Sequence, residues 1–337
     1  MKKVLIVGVK NKGSLENSYL TALIREGYDV SFFDYSVILK KYIKFGKLGQ
    51  IINTFFPVYA WQKKMNREFV IECKVLQPDY VFYFTNAPIF AGSILCVKTM
   101  FKSIKHILIW PDTPLNIEDF ILNNANLYDY TATYSNESVK EFELVRFNNV
   151  NWIPLAADDE MFKISNTNNN VFNFDIGFVG GWRPEREAVL SKVIENFPFI
   201  KIAIYGPYWK RECKNEKLML YILGSGLYEK ELSQFFQTTK INLNIIDDTN
   251  FPSANMRFFE IPISKGLQLS SKCPEFNKIF KDKEHLLYFD NESEMIQQIN
   301  WVLENEELAQ KIRSDAFKLV STEHLYKNRI KEIFKTL

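Results

Sequence analysis

The spacing of apolar residues along the chain predicts alternating strands and helices. Residues 3–8 are almost entirely apolar, residues 14–27 carry apolar side chains at helical spacing and end in a glycine, and residues 28–34 again favour a strand. Strands of a parallel sheet are apolar throughout because helices cover both faces, whereas each covering helix is apolar on one side only. The order therefore predicts an α/β fold with a doubly wound parallel sheet.

The same order starts a second time at residues 174–180, which are followed by an amphipathic helix and another apolar segment at 200–206. Two Rossmann-like halves are therefore expected. Between them, residues 150–162 contain a proline and an acidic turn, and an Asn-rich loop follows at 165–170. This interruption predicts one domain at residues 1–156 and a second at 157–320.

Composition sets limits on the class of protein. The chain has 337 residues, 47% of them hydrophobic, and a formal net charge of only +2. A single core stops growing beyond about 250 to 300 residues, which agrees with two domains. The balanced charge gives no support to a nucleic-acid partner.

Cysteine usage and hydropathy indicate a cytoplasmic protein. The four cysteines form no Cys-x-x-Cys pair, so neither a zinc site nor a disulfide framework is expected. The apolar N-terminal segment is too short for a signal peptide, and no segment approaches the ~20 apolar residues that span a bilayer. We therefore expect no transmembrane helix.

Residues 253–260 combine a polar turn with an arginine and a glutamate at the start of a predicted helix. Backbone N–H groups at a helix N-terminus, here from Asn255 and Met256, can hold a phosphate. Arg257 adds a forked cation for phosphate oxygens, and Glu260 can accept hydrogen bonds from the two hydroxyls of a ribose. The alternative is that Arg257 and Glu260 form a surface pair worth only about 0.2–0.5 kcal/mol.

A second polar segment follows the strand predicted at residues 174–179. Gly180 and Gly181 allow a ligand to approach the backbone closely, and Arg183 and Arg186 follow at the same end of the strand. A diphosphate contact is one interpretation. The other is a tight turn between strand and helix with solvated arginines.

Residues 35–67 contain no acidic residue. Basic and aromatic residues are interleaved there: Lys40, Lys41, Lys44, Lys47, Lys63, Lys64 and Arg67 with Tyr42, Phe45, Phe55, Phe56, Tyr59 and Trp61. Such a composition suits an anionic membrane surface. A solvated helical face over core aromatics is the alternative, and a nucleic-acid module is not recognised.

Five segments of the second half occur in the order and spacing of glycosyltransferase group 1 enzymes and particularly resemble the spore-maturation-type branch. They are DIGFVGGWRPERE, IYGPYW, NMRFFEIPISKG, EHLLYFDNESEMIQQINWVLEN and EHLYKNRIKEIF. The resemblance covers the chain from about residue 150, where IPLAADDEMF resembles the interdomain linker. The first half matches mainly through WPDTP and the strand order. The resemblance implies the GT-B architecture, in which two Rossmann-like domains face each other across a cleft.

The resemblance also implies roles for individual residues. The second domain would bind the nucleotide-sugar donor through Gly180, Gly181, Arg183, Arg186, Asn255, Met256, Arg257 and Glu260. Arg257 would stabilise the leaving diphosphate. In the first domain, Gly13 and Asp112 would lie in the acceptor site, with Asp112 as a catalytic base or hydrogen-bond acceptor. An Asx-type turn at Asp112 before Pro114 is the alternative.

Two prolines in this region are unexpected, one because the family commonly has another residue at its position and one because it lies inside a predicted helix. Pro252 stands where the family commonly has a glutamate that contacts the sugar, eight positions before Glu260. Pro262 lies inside the predicted helix at 255–265 and should kink or shorten it. Residues 321–337, which include His324 and Arg329, resemble the family's C-terminal helix, and we expect this helix to pack back on the first domain.

The resulting expectation is a hexosyltransferase-type glycosyltransferase of polysaccharide biosynthesis that moves a sugar from a nucleotide diphosphate to a hydroxyl of a glycan or lipid-linked glycan. Retention of anomeric configuration is implied by the family alone. With no Asp-x-Asp motif, neither a metal nor another cofactor is expected. The protein would be cytoplasmic and peripheral on the inner face of the membrane. A non-catalytic glycan- or nucleotide-binding protein and a nucleotide-sugar epimerase on the same fold are the alternatives.

Overall fold

A computed structural model of the chain describes residues 1–162 and 171–337. These residues form two compact units, Met1–Pro154 together with Arg329–Leu337, and Leu155–Asn328. The predicted Asn-rich loop at 165–170 lies outside the described residues. No helix in the described part of the chain is both long and apolar enough to cross a membrane.

The first unit is built on a six-stranded parallel sheet with the order β2-β1-β3-β4-β5-β6. Its strands are β1 (Lys3–Gly8), β2 (Asp29–Asp34), β3 (Tyr80–Phe84), β4 (Lys105–Trp110), β5 (Tyr130–Thr133) and β6 (Val150–Trp152). Its helices are α1 (Leu15–Arg25), α2 (Tyr35–Tyr42), α3 (Gly46–Phe55), α4 (Tyr59–Leu76), α5 (Ala91–Met100), α6 (Asp119–Leu122) and α7 (Ser138–Leu144), with 3₁₀ helices at Pro114–Asn116 and Ala125–Leu127.

The second unit repeats this plan with the sheet order β12-β11-β10-β7-β8-β9, again fully parallel. Its strands are β7 (Phe174–Val179), β8 (Ile202–Tyr205), β9 (Ile222–Gly224), β10 (Thr239–Asn244), β11 (Gln268–Ser271) and β12 (Leu287–Phe289). Its helices are α8 (Pro184–Asn196), α9 (Trp209–Glu212), α10 (Glu216–Met219), α11 (Glu229–Gln237), α12 (Arg257–Ile263), α13 (Glu292–Glu304) and α14 (Glu306–Glu323). The last helix, α15 (Tyr326–Thr336), begins in this unit and continues into the first.

Local sequence explains several element boundaries. Asp34 ends β2 and caps α2, because its side chain accepts hydrogen bonds from the backbone N–H groups of Ser36 and Val37 at 3.0 and 3.1 Å. Pro184 occupies the first turn of α8, where its missing N–H costs nothing. In each unit the central strands are buried apart from residues near their amino ends, as their continuous apolar runs predict.

The units divide two residues before the predicted boundary at 156. Residues 150–152, which were predicted as part of the seam, form the edge strand β6 and pair with β5. Ala157, the first residue of the predicted second domain, belongs to the second unit, and its backbone N–H donates to the His324 carbonyl at 2.8 Å. The sequence pattern did not show β6, because three residues are too few to establish a period.

The chain end differs from its prediction in extent. Only residues 329–337 of the segment 321–337 belong to the first unit. Arg329 donates from Nε to the Pro154 carbonyl at 2.9 Å, and the Phe334 ring stacks on Tyr28 at 4.8 Å and packs edge-on against Tyr80 at 4.7 Å. These contacts place the chain end beside the amino ends of β2 and β3.

Candidate functional site

The strand order of the second sheet identifies the position of a ligand crevice. From β7 the chain proceeds in one direction to β8 and β9, and it then crosses back to β10, β11 and β12 on the other side of β7. In open parallel sheets, ligands bind beyond the carboxyl ends of the two strands between which the order reverses. Those strands are β7 and β10, and the predicted donor residues follow them.

The loop after β7 is held by backbone contacts around Gly180. Its N–H donates to the Tyr205 carbonyl at 2.9 Å, and its carbonyl accepts from Trp209 Nε1 at 2.8 Å. A Cβ atom on Gly206 would lie 1.8 Å from the Gly180 oxygen, so glycine is required there for the close approach of the two loops. Among the described residues, a Cβ atom on Gly181 would meet only Pro207, at an ordinary 3.5 Å. Packing within the protein therefore does not account for a glycine at 181.

Two arginines at the start of α8 converge on one carboxylate that follows β10. Arg186 Nη2 lies 2.8 Å and Arg183 Nε 3.2 Å from the same oxygen of Asp247. Arg186 also donates to the Gly181 carbonyl at 2.8 Å, and its Nε is buried without a partner among the described residues. The Arg183 side chain is 46% exposed, so it is free to meet a ligand from solvent.

Asp247 is a charged group held inside the site. Its side chain is 4% exposed, and it accepts from Thr249 Oγ1 and Asn250 Nδ2, each at 2.7 Å. Burial alone would raise the pKa of Asp247, but those hydrogen bonds and the Arg186 and Arg183 charges outweigh it, so the pKa is lowered. The carboxylate is thus ionised and stabilises the positions of both guanidinium groups.

Arg257 and Glu260 lie on α12 and form an ion pair with each other. Arg257 also donates from Nε to the carbonyl of Val179, the last residue of β7, at 3.2 Å. The Arg257–Glu260 pair, which the sequence analysis gave as the alternative to a ligand site, is therefore present. It is not a surface pair, however, because the Glu260 side chain is only 5% exposed against 28% for Arg257. A buried carboxylate with one close cation loses more hydration than a surface pair does.

The turn before α12 is organised by amide side chains. Asn255 donates from Nδ2 to Asn244 Oδ1 at 2.8 Å and accepts from the Phe258 N–H at 3.2 Å. The helix begins at Arg257, two residues later than predicted, and it has only seven residues. Asn255 and Met256 therefore precede the helix, with Met256 as the cap residue, and the helix dipole there is small. Pro262 lies in the last turn, in agreement with a shortened helix.

A family of known proteins resembles the chain in sequence over part of its length, and solved structures resemble it in fold over nearly all of it. Residues 183–335 match the sequence profile of a family described as Glycosyl transferase-like. Over 99% of its length the chain superposes on 97% of a glycosyltransferase from Rickettsia africae, with a TM-score of 0.68 and 13% identity. It superposes over the full length of both chains on HepE from Anabaena in complex with UDP and glucose (TM-score 0.66, 14% identity). It also superposes over 99% of its length on 98% of a sucrose-phosphate synthase from Thermosynechococcus elongatus (TM-score 0.64, 9% identity). No curated protein matches the chain in sequence.

The chain has the GT-B glycosyltransferase fold. The α/β prediction with two parallel doubly wound sheets is confirmed, and so is the resemblance to glycosyltransferases. The narrower assignment to the spore-maturation-type branch stays a prediction. The matched profile begins at Arg183 and includes every predicted donor residue except the two glycines.

Gly13 and Asp112 lie in the first unit of the GT-B fold. Gly13 is in the turn after β1 with φ of +67°, a conformation that favours glycine. Asp112 follows β4, and both of its carboxylate oxygens have local partners: the Thr113 N–H and Asn116 Nδ2, each at 2.7 Å. The local turn therefore accounts for Asp112 without a catalytic role, and its role as a base stays a prediction.

Sequence reasoning missed Asp247 and Asn244. Both belong to the segment NLNIIDD, in which polar side chains follow a buried strand. Their place in the site depends on the pairing of β7 with β10, which the sequence analysis did not predict. It also missed Glu16 of the first unit. Burial raises the pKa of Glu16, whose Oε1 accepts from the Val9 N–H at 3.3 Å. Gly8 makes room for it, because a Cβ atom there would lie 2.6 Å from the Glu16 side chain.

Metal ligands do not cluster in the part of the chain that the structure describes. Within residues 1–162 and 171–337, no three His, Cys, Asp or Glu side chains are arranged to hold a metal ion.

Proposed function

We propose that this GT-B protein is a glycosyltransferase that moves a sugar from a nucleoside diphosphate to a hydroxyl group of a glycan or lipid-linked glycan. The observation that carries the proposal is the set of three arginines, Arg183, Arg186 and Arg257, around the carboxyl ends of β7 and β10. Guanidinium groups match phosphate oxygens in charge and geometry. The crevice at the reversal of strand order is where a nucleotide binds in such sheets.

The charges of the site suit a diphosphate. Three arginines face two carboxylates, Asp247 and Glu260, which leaves a net charge of +1 for an anionic ligand. Arg183 and Arg257 are the more exposed guanidinium groups and would contact the phosphates. Arg186 is nearly buried and holds Asp247, so it would position the loop after β7.

In the transfer step, the bond between the anomeric carbon and the diphosphate oxygen breaks, and its electron pair stays on the diphosphate. The acceptor oxygen bonds to the anomeric carbon and gives up its proton, for which Asp112 remains the candidate base. Negative charge grows on the leaving oxygen as that bond breaks. A guanidinium group already in place stabilises this charge more strongly in the transition state than in the ground state.

Glu260 would bind the ribose of the donor. Its carboxylate is buried and held by Arg257, so an incoming nucleotide would exchange the Arg257 contact for its own hydroxyl groups. Gly181 would allow the diphosphate to approach the backbone, since no contact among the described residues requires a glycine there. Asn255 and Met256 complete the proposed donor set at the turn before α12.

Solved structures of the same fold support a nucleotide-sugar donor. HepE from Anabaena has been crystallised with UDP-glucose and with UDP. By analogy we extend the proposal to a hexosyl donor, a metal-independent reaction with retention of configuration, and a cytoplasmic role in polysaccharide biosynthesis. Base, sugar and acceptor are left to experiment.

A non-catalytic nucleotide-binding protein is the second candidate. Two observations favour it: Pro252 replaces the glutamate expected near the sugar, and Asp112 is occupied by its own turn. Binding of a nucleotide sugar without transfer or hydrolysis would favour this candidate over the enzyme.

A thermal-shift panel of UDP, GDP, dTDP and CMP sugars tests the donor site first. A ligand at 100 times its dissociation constant adds about 2.7 kcal/mol of stability, which is readily measured. The transferase proposal expects one nucleobase to stand out and Glu260→Gln to reduce that shift, whereas Lys217→Ala, at an exposed lysine of α10 in the second unit, should keep it. Absence of a shift with any nucleotide in the folded parent protein would overturn the proposal.

A further inference from the structure

Helix α3 of the first unit carries an apolar face that is exposed. Its apolar residues Leu48, Ile51, Ile52 and Phe55 are spaced three and four positions apart and so lie along one side of the helix. We refer to these four residues as the α3 stripe. Phe45 and Phe56 flank α3 in sequence, and Tyr59 follows at the start of α4.

In a globular protein such a face normally packs on the core. Here the α3 stripe and its three aromatic neighbours are each between 41% and 76% exposed. Within α3 only Gly49 is buried. The sequence-based alternative of a polar face over core aromatics is therefore wrong for Phe45, Phe55, Phe56 and Tyr59. A contiguous exposed apolar surface of this kind marks an interaction site.

The charges around the stripe indicate which partner covers it. Between Asp34 and Glu68 there are seven basic residues and no acidic one, and all seven are exposed. Lys47 lies at the edge of the stripe, one residue before Leu48, and Lys44 immediately precedes Phe45. A long lysine stem can lie along an apolar layer while its ammonium group stays at the polar boundary.

We propose that α3 is a membrane-docking helix, with its stripe inserted among the acyl chains of an anionic bilayer and the surrounding lysines on the lipid headgroups. An amphipathic helix lying in the interfacial plane has this composition, apolar and aromatic on one side with cations beside it. A second copy of the chain does not fit the same surface, because it would bring seven positive charges against seven.

The proposal does not rest on glycosyl transfer. Failure of the protein to bind membranes would refute this inference, whereas failure of the second unit to bind a nucleotide would refute the proposed function. If both hold, the acceptor is expected to reside in or at the bilayer, which narrows the choice to lipid-linked glycans.

Vesicle co-sedimentation at low salt tests the inference. The full-length protein should bind vesicles of phosphatidylcholine with about one third phosphatidylglycerol and should bind much more weakly to phosphatidylcholine alone. The combined variant Leu48→Ser, Ile52→Ser and Phe55→Ser keeps every charge, and its partition onto the anionic vesicles should fall at least about tenfold. Neutralising Lys40, Lys41, Lys44 and Lys47 to glutamine should abolish the preference for anionic lipid.

Matched controls separate docking from general stickiness. Phe199→Ser removes an apolar side chain that is 99% exposed in the second unit, and it should leave vesicle binding unchanged. Glutamine at Lys210, Lys217, Lys230 and Lys278, four exposed lysines of the same unit, removes the same number of charges from the second unit and none from the first. Because the stripe is exposed, the serine variant should unfold at the parent temperature. Ile52→Leu with Phe55→Leu should retain binding.

Three results would overturn the inference. The first is that the folded parent protein ignores anionic vesicles at low salt. The second is that the serine variant binds them as tightly as the parent, which would reduce the effect to charge adhesion alone. The third is a parent dimer in light scattering that the serine variant abolishes, which would assign the stripe to self-association.

Discussion

Replacing Asp247 by asparagine isolates the charge that holds the arginines of the second unit. Asparagine keeps an oxygen for Thr249 and Asn250, but it cannot neutralise Arg186 and Arg183. Breaking a buried ion pair typically costs about 3–5 kcal/mol. Arg186 retains its bond to the Gly181 carbonyl, and Arg183 is half exposed and can turn to water, so we expect a smaller loss of about 2–3 kcal/mol.

Thermal unfolding measures this loss. For a unit of this size the transition of the second unit should fall by about 4–12 °C. The pKa of Asp247 is lowered in the folded state, so its carboxylate contributes stability above the ordinary aspartate pKa of about 3.9 and loses that contribution as the pH falls through the folded value. The difference between parent and Asp247→Asn should therefore shrink below about pH 4.

A diphosphate should restore part of what Asp247→Asn removes. With the carboxylate gone, an anionic ligand would supply the negative charge that the two arginines have lost, so pyrophosphate or the preferred nucleoside diphosphate should raise the transition of the variant more than that of the parent. Asp175→Asn is the matched control, because Asp175 lies in β7 near its amino end and accepts from the Lys201 N–H rather than from an arginine. A variant as stable as the parent, or one with an equal ligand shift, would refute the reasoning.

Three further predictions concern other residues. Glu260→Gln should mainly weaken donor binding, whereas Arg257→Ala should lower turnover more than affinity, and Arg257→Lys should recover part of the lost turnover. The loss in Arg257→Ala should be about 2.7–4 kcal/mol in activation free energy if Arg257 acts like one oxyanion donor. Calorimetry measures donor affinity and a transfer or hydrolysis assay measures turnover, and parental values for both folded variants would remove the two residues from the site. Burial lowers the pKa of His106 to about 4, so the unfolded chain binds a proton that the folded chain does not between about pH 6.5 and 4. As the pH is lowered through that range, the free energy of unfolding should therefore decrease by about 1.4 kcal/mol per pH unit. In His106→Gln this part of the pH dependence should be absent. Cys96 is exposed while burial raises the pKa of Cys73 to about 12, so a thiol reagent should modify the native protein rapidly at Cys96, and Cys96→Ser should remove that fast phase.

The sequence was sufficient for the fold because each half repeats one rule of parallel sheets. The apolar run before Gly180 and the helical spacing after it are local signals, and they predicted β7 and α8 correctly. The edge strand β6 has no such signal, since it becomes a strand only through pairing with β5. Local periodicity therefore identified the central strands and failed at the margin of the sheet.

The candidate site was predictable as far as its residues are close in sequence. Arg257 and Glu260 are three positions apart, and so are Gly180 and Arg183, so each group could be recognised alone. Asp247 could not, because its role depends on the adjacency of β7 and β10. The α3 stripe shows a further limit: residues at helical spacing are the same whether they face a core or solvent.

The last residues of the chain have a consequence for how the protein is made. Arg329–Leu337 belong to the first unit, although they are translated after the whole of Leu155–Asn328. During synthesis on the ribosome, the first sheet therefore lacks the packing of Phe334 on Tyr28 and Tyr80 until the second unit has emerged. Vectorial synthesis would then favour completion of the second unit before the first, the reverse of their order along the chain. A circular permutant that joins residue 337 to residue 1 would put the late segment next to the strands it covers, and it should let the first unit fold as one continuous stretch.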